Sequence, residues 1–142
     1  MKRFTLLMLP VLLFGCGGGG GGGGSTVSHF GGNYAGPFTV AINGTAPAGF
    51  TPPASGTAAA TVSTTGQLQV NYGNSYVLTG MLHNDGSVTS GVLSYPSGSG
   101  TQSLPAVVGW DQSGSETTVF ASVQFTTTSG SATFSTALAP LP

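Results

Sequence analysis

The chain has 142 residues, of which only 4% are charged, against roughly 25% in an ordinary globular protein. Both basic residues, Lys2 and Arg3, stand at the N-terminus, so the rest of the sequence carries three carboxylates and no Lys or Arg. Without basic side chains, the chain beyond Arg3 cannot neutralise phosphates. This excludes nucleic acid as a partner, and it excludes a basic patch for anionic lipid headgroups.

The first fifteen residues are predicted to be an export signal. The basic start is followed by an apolar run of eleven residues, Phe4–Phe14. This run has the length of the apolar core of a signal peptide, and it is too short for a transmembrane helix, which needs about 20 residues. Residues 1–15 are therefore expected to form a signal helix that is removed on export.

The apolar run ends in Leu13, Phe14, Gly15 and Cys16, and Cys16 is the only cysteine of the chain. A Leu three positions before a Cys and a Gly directly before it resemble the lipobox of bacterial lipoproteins. The resemblance implies cleavage between Gly15 and Cys16, a diacylglycerol on the Cys16 thiol, and a fatty acid such as palmitate on the new amino terminus. Phe14 departs from the pattern, which has a small residue there. An ordinary secretory peptide with an incidental Cys is the alternative.

The same resemblance implies that a membrane is the partner of the chain, through the lipid on Cys16. Two or three acyl chains anchor a protein stably, whereas one holds it only marginally. Gly17 stands where many lipoproteins that stay at the inner membrane have Asp. A cell-envelope location at the outer membrane is therefore predicted ahead of the inner membrane.

A glycine run, Gly17–Gly24, follows the cysteine. Chains rich in Gly and Ser behave as flexible coils, so this segment is predicted to be a tether. The expected organisation is a signal peptide at 1–15, the lipidated Cys and flexible tether at 16–32, and one all-β domain at 33–142.

From Tyr34 onwards, apolar and polar residues alternate with period two, which is typical of half-buried strands. Segments with turn residues separate eight such runs, among them a two-residue turn at Gly73-Asn74 and three-residue turns at Thr64–Gly66 and Asn84–Gly86. The predicted strands are 34–43, 56–63, 67–72, 76–83, 87–95, 104–111, 116–128 and 131–138. Because nearly all connections are short, the sequence predicts an eight-stranded antiparallel up-and-down meander.

Three glycines, Gly80, Gly91 and Gly109, fall inside predicted strands. Glycine weakens a strand, and its recurrence indicates bulges or bends that let a sheet curl. A small closed barrel is therefore favoured over a β-sandwich. The meander and its opening segment, Gly32–Gly36, are similar to lipocalin-like and avidin-like barrels; this resemblance implies the architecture and no ligand residues.

Few side chains are equipped for catalysis. His29 lies in the predicted tether, and His83 lies beside a turn. A hydrolase triad would have to combine His83 with Asp85 or Asp111 and one of the serines. Asp111 and Glu116 flank one loop and could approach each other as the paired carboxylates of a glycosidase, but two solvated turn carboxylates are the simpler interpretation. The domain is predicted to be non-enzymatic, with no cofactor and no bound metal.

Trp110, Tyr72 and Tyr76 are the candidate residues for stacking on a sugar or an apolar ligand, and the alternative is ordinary packing in the core. Tyr34 and Tyr95 belong to the same group. The sequence favours a structural or interaction-mediating role at the envelope, with an envelope protein, a glycan or a small apolar ligand as the partner. The alternatives are a barrel that binds a small apolar ligand or a glycan, and an envelope hydrolase.

Overall fold

The computed structural model describes residues 27–98 and 100–142, and every regular element in this part of the chain is a β-strand. The predicted signal helix, Cys16 and the tether up to residue 26 lie outside the described residues. The strands are β1 (Gly32–Gly44), β2 (Ser55–Val62), β3 (Gln67–Tyr72), β4 (Tyr76–Leu82), β5 (Val88–Ser97), β6 (Gly100–Ser113), β7 (Glu116–Gln124) and β8 (Gly130–Pro140).

The eight strands form a closed barrel. Each strand pairs antiparallel with the next one along the chain, and β8 pairs with β1 over the register Gly44↔Gly130 to Tyr34↔Pro140. The predicted eight-stranded antiparallel meander is confirmed, and so is the barrel in preference to the sandwich. Because closure pairs the first strand with the last, the sheet has no free strand edge.

Side chains that alternate into the barrel form its core. On β7, Val119, Ala121 and Val123 are fully buried, while Phe120 between them points outward and is 47% exposed. The inward residues of β2 include Ala58 and Ala60, which are also buried. Small side chains on one strand leave room inside a narrow barrel for the large rings of other strands.

Two strand boundaries differ from the prediction by four residues, and all the others agree within two. β6 begins at Gly100 rather than at residue 104, because Ser97 pairs with Gly100 across a tight turn and the ladder continues from there. Pro96 therefore lies within a strand, as an exposed residue. β7 ends at Gln124 rather than at residue 128, and the Phe125 N–H donates to the Gly130 carbonyl at 2.9 Å to start the next turn.

Glycines close two of the predicted turns in the left-handed conformation. Gly66 has a φ of 91° and Gly86 has a φ of 86°, values that favour a residue without Cβ. The N–H of each donates to the carbonyl three residues earlier, at 3.0 and 2.9 Å. The predicted two-residue turn at Gly73-Asn74 is instead a three-residue turn, because Tyr72 pairs directly with Tyr76.

A β-bulge lies between β4 and β5. Thr79 pairs with Val92 and Met81 pairs with Thr89, so β5 carries one extra residue opposite Gly80. The strands approach so closely there that a Cβ on Gly80 would come within 2.8 Å of a Val88 methyl carbon. The prediction of a bulge at this glycine is confirmed. Around Gly109 the space for a Cβ is open, so packing does not require glycine at that position.

The barrel has two different ends. The terminal end carries both ends of the domain and the β2–β3, β4–β5 and β6–β7 turns, and the loop end carries the 45–54 loop and the three remaining turns. Asp85, Asp111 and Glu116, together with His29 and His83, all lie at the terminal end. Within the described residues, the loop end has no Asp, Glu, His, Lys or Arg.

Candidate functional site

Aromatic rings fill the barrel at its loop end. Phe50 comes from the loop between β1 and β2, and its ring centroid lies 5.0 Å from those of both Tyr95 and Phe125. Tyr76 on β4 and Phe134 on β8 meet across the lumen at 6.1 Å, and these two strands stand on opposite sides of the barrel. Ring contacts therefore close this half of the interior.

Hydrogen bonds hold the loop that delivers Phe50. The Phe50 N–H donates to the Pro47 carbonyl at 3.1 Å, which forms a turn. The Thr51 N–H donates to the Tyr76 phenol at 2.8 Å, which joins the loop to β4. Phe50 is consequently 2% exposed although it belongs to no strand.

A second aromatic cluster closes the terminal end. The Trp110 ring lies 5.4 Å from Tyr34 and 5.8 Å from Phe30, and the Tyr34 phenol donates to the Phe30 carbonyl at 2.6 Å. Ser28 is buried, and its N–H donates to the Thr64 carbonyl at 2.8 Å. The last residues of the predicted 16–32 tether thus pack on the barrel, and among the described residues Val27 already contacts it through its carbonyl.

The three residues predicted to stack on a ligand do not share one surface. Tyr72 and Tyr76 are register partners, but both rings contact Phe134, at 4.7 and 6.1 Å. Trp110 belongs to the cluster at the opposite end. All three are at most 6% exposed, so their rings take part in core packing. Ligand stacking on these residues would require a ring to leave those contacts, and it stays a prediction.

Four buried polar atoms have no hydrogen-bond partner among the described residues: Tyr72 Oη, Trp110 Nε1, Thr117 Oγ1 and Thr136 Oγ1. Burial raises the pKa of the Tyr72 phenol, and the Thr136 hydroxyl beside it offsets only part of this rise. An unpartnered buried hydroxyl costs roughly 1–3 kcal/mol. Removing such a hydroxyl is therefore expected to cost less stability than removing one that makes a full hydrogen bond.

The β4–β5 turn brings His83, Asp85 and Ser87 together without the bonds of a catalytic triad. The Asp85 carboxylate accepts hydrogen bonds from the Ser87 hydroxyl at 2.6 Å and from the Ser87 N–H at 2.9 Å, and in that order these bonds lower the pKa of Asp85. His83 Nε2 lies 2.9 Å from Thr89 Oγ1. In a triad the carboxylate orients the histidine and the histidine takes the serine proton. The observed bonds are those of a turn that an Asp side chain stabilises.

The other ionisable candidates are exposed. His29 donates through its backbone N–H to Asn84 Oδ1 at 2.8 Å. Asp111 pairs with Thr118 and Glu116 pairs with Ser113 in the β6–β7 ladder. Across residues 27–98 and 100–142, no three His, Asp or Glu side chains are grouped so that they could hold a metal ion.

A depression of about 280 Å³ lies at the loop end. Its lining includes Thr51, Pro53, Asn74 and Pro96, with Tyr72 and Tyr76 at its base. Uncharged polar atoms and proline rings surround it. Two of the predicted stacking residues, Tyr72 and Tyr76, thus border a surface depression.

A groove of about 580 Å³ lies on the outer face of the barrel, over β2, β3 and β4. Uncharged side chains line it, among them Thr61, Gln67, Gln69, Thr79, Met81 and Ser90. These residues were not predicted as a site. The signal in the sequence is the run of polar residues at alternate positions of β3, which marks its outward face.

In the described part of the chain, no helix has the length and apolar character needed to cross a membrane. No protein-family model matches the chain, and no curated protein or solved structure matches it either.

Proposed function

We propose that the chain is a lipid-anchored lipoprotein of the cell envelope, with a non-enzymatic β domain that has a structural or interaction-mediating role. The observation that carries this proposal is the segment Leu13–Cys16, which places the only cysteine of the chain directly after an apolar run of signal-peptide length. The near absence of charge beyond Arg3 fits a domain that works outside the cytoplasm without binding polyanions.

The fold supports an anchored geometry. The described chain starts at the terminal end, where Asn84 Nδ2 donates to the Val27 carbonyl at 3.3 Å. Eleven residues lie between Cys16 and Ser28, and a Gly-rich coil of that length spans roughly 20 Å. The anchor would therefore hold the terminal end near the membrane and leave the loop end facing away from it.

The charge distribution favours a gap between the terminal end and the lipid headgroups. All three carboxylates of the domain lie at the terminal end, where they repel an anionic lipid surface within about one Debye length, roughly 8 Å at physiological ionic strength. The tether is longer than this distance. The domain would then stand off the headgroups with its uncharged loop end presented to the envelope.

The filled interior supports a structural or interaction role ahead of ligand storage inside the barrel. Phe50, Tyr72 and Phe134 are almost completely buried and contact other rings across the lumen. The bonds of Asp85 and His83, described above, likewise support a non-enzymatic domain.

Labelling with an alkyne analogue of palmitate in a bacterial host tests the anchor. We expect the wild-type chain and Ser25→Ala, a matched control in the tether, to incorporate the label, and Cys16→Ser to lose it. Labelling that persists in Cys16→Ser, or recovery of the wild-type chain in the soluble cytosolic fraction, would contradict the proposal.

Membrane fractionation tests the location. The wild-type chain is expected in the outer-membrane fraction, because Gly17 lacks the retention signal implied by the lipobox resemblance. Gly17→Asp should move the chain to the inner membrane. Wild-type chain found in the inner membrane would overturn the outer-membrane assignment and leave the lipid anchor standing.

A further inference from the structure

Uncharged polar side chains form rows along the groove on the outer face of the barrel. Thr61, Gln69 and Thr79 are register partners on β2, β3 and β4, so they make one row across three strands. Gln67 and Met81 are also register partners and lie two residues further along β3 and β4, which puts this second row about 7 Å from the first. The two rows flank the groove.

Hydrogen bonds to neighbouring residues orient two members of the first row, Thr61 and Gln69. The Thr61 hydroxyl donates to Asn33 Oδ1 at 3.2 Å, and Gln69 Nε2 donates to Asn71 Oδ1 at 3.2 Å. Gln69 keeps its Oε1 and its second N–H for other partners, and Thr61 keeps the lone pairs of its hydroxyl. Side chains that are already restrained lose less entropy when a ligand binds.

The bulge brings Ser90 to the side of this groove. In a regular ladder one inward residue of β5 would stand opposite Gly80. Two residues, Ser90 and Gly91, stand there instead, and Ser90 is exposed. Ser90 has a φ of 55°, and no other described residue apart from glycines has a positive φ. Backbone strain of this kind costs stability and is frequent at ligand sites, and bulges often re-aim a side chain next to such sites.

We propose that this groove binds a neutral saccharide. A carboxamide both donates and accepts hydrogen bonds, so Gln67 and Gln69 can each bridge neighbouring hydroxyl groups of a sugar. The Met81 side chain offers an apolar contact for the C–H face of a sugar ring. No charged side chain lines the groove, which disfavours phosphate-bearing, carboxylate-bearing or cationic ligands.

The barrel closure argues against a peptide in the same groove. An extended peptide binds a sheet by pairing with a free strand edge, and β3 is paired on both sides, with β2 and with β4. The inference rests on the proposed role as a binding domain rather than an enzyme. It does not require the lipid anchor.

Nuclear magnetic resonance of the ¹⁵N-labelled full chain tests the proposal, in a detergent without a sugar headgroup. The probes are cellotetraose, maltotetraose and N-acetylchitotetraose, each added up to about 10 mM, a range that detects millimolar affinity. We expect at least one of them to shift the side-chain amide signals of Gln67 and Gln69 and to be recovered uncleaved.

Three variants locate the site. Gln69→Ala should weaken binding between about twofold and tenfold, the effect of losing one ordinary hydrogen bond. Gln124→Ala, an exposed glutamine on β7 away from the groove, should leave affinity unchanged. Ser90→Gly should weaken binding while the melting temperature stays equal or rises, because glycine relieves the strain at this φ. A purely structural Ser90 would change stability without changing affinity.

Absence of shifts with all three probes would overturn the proposal, and so would shifts confined to the loop-end depression around Thr51 and Tyr76. An equal loss of affinity in Gln69→Ala and Gln124→Ala would also contradict it. A cleaved probe that shifts the Gln67 and Gln69 signals would keep the site and refute the non-enzymatic role. A wild-type chain that takes up no palmitate label would refute the anchor alone.

Discussion

The backbone N–H of Thr51 donates to the phenol of Tyr76 at 2.8 Å. This hydrogen bond joins the β1–β2 loop to β4 directly beside Phe50, whose ring lies 5.5 Å from that of Tyr76. Tyr72, the register partner of Tyr76, carries a phenol with no hydrogen-bond partner among the described residues. One hairpin thus holds a bonded and an unbonded phenol.

Removing each hydroxyl should have opposite consequences. Tyr76→Phe leaves the Thr51 N–H without its acceptor and should lower the free energy of unfolding by about 1 kcal/mol. Tyr72→Phe removes a buried hydroxyl that makes no bond, so its effect should lie between zero and a gain of about 1 kcal/mol. Urea unfolding of both variants beside the wild type measures the difference. Equal losses in the two variants would mean that the Tyr72 hydroxyl is bonded in solution.

Phe50 should be a main stabilising contact of the loop end. Phe50→Ala removes a ring packed on Tyr95 and Phe125 and should cost about 3–5 kcal/mol. Phe120→Ala is the matched control, since Phe120 is 47% exposed on the outer face, and surface substitutions of this kind cost about 0.5 kcal/mol or less. Chemical denaturation compares the two. If Phe50→Ala costs no more than Phe120→Ala, the loop does not close the barrel in solution.

Much of the fold could be predicted from local pattern. Period-two alternation locates strands because a strand turns successive side chains to opposite faces, and it placed β3 at its observed bounds, 67–72. Glycines at positions 66 and 86 marked turns because their φ values disfavour other residues. Short connections then left a meander as the natural topology.

The sites could not be predicted in the same way, because they depend on contacts between distant strands. Phe50 lies in a proline-rich loop without periodicity, and only the closed barrel shows that its ring reaches β5 and β8. The separation of Trp110 from Tyr72 follows from barrel register, which a single sequence does not reveal. Ser90 faces the groove only because of a bulge, which shifts one strand by one residue.

Stability should fall at alkaline pH through the buried phenols. Burial raises the pKa values of Tyr34 and Tyr72, so the folded state resists ionisation more strongly than the unfolded state. For such a group the stabilisation is complete below the unfolded pKa, about 10, and is lost as the pH rises through and beyond it. Unfolding free energies measured from about pH 8 to pH 11 should show this decline.

The variant Tyr72→Phe supplies the control for that decline. In this variant the free energy of unfolding should fall less steeply at alkaline pH, because the phenol of Tyr72 with its raised pKa has been removed. Near neutral pH the free energy of unfolding should stay at or above the wild-type value. An alkaline loss that is the same in Tyr72→Phe and in the wild type would assign it to other groups.

Sodium chloride should not destabilise the domain. The chain beyond Arg3 has no Lys or Arg, so no ion pair with either of these side chains can be screened there. The three carboxylates share the terminal end, where salt weakens their mutual repulsion. Raising the concentration from about 0.05 to 0.5 M shortens the screening length from roughly 14 to 4 Å and should change stability by about 0.5 kcal/mol or less, in the stabilising direction.

Removing two of these charges tests the origin of the salt response. Asp111→Asn combined with Glu116→Gln should abolish the small gain, since Asp85 alone has no neighbouring carboxylate to repel. Both residues are exposed, so the double variant should fold as the wild type does. A steep loss of stability with added salt in the wild type would require attractive charge pairs in the folded domain, and the sequence beyond Arg3 offers no Lys or Arg to form them.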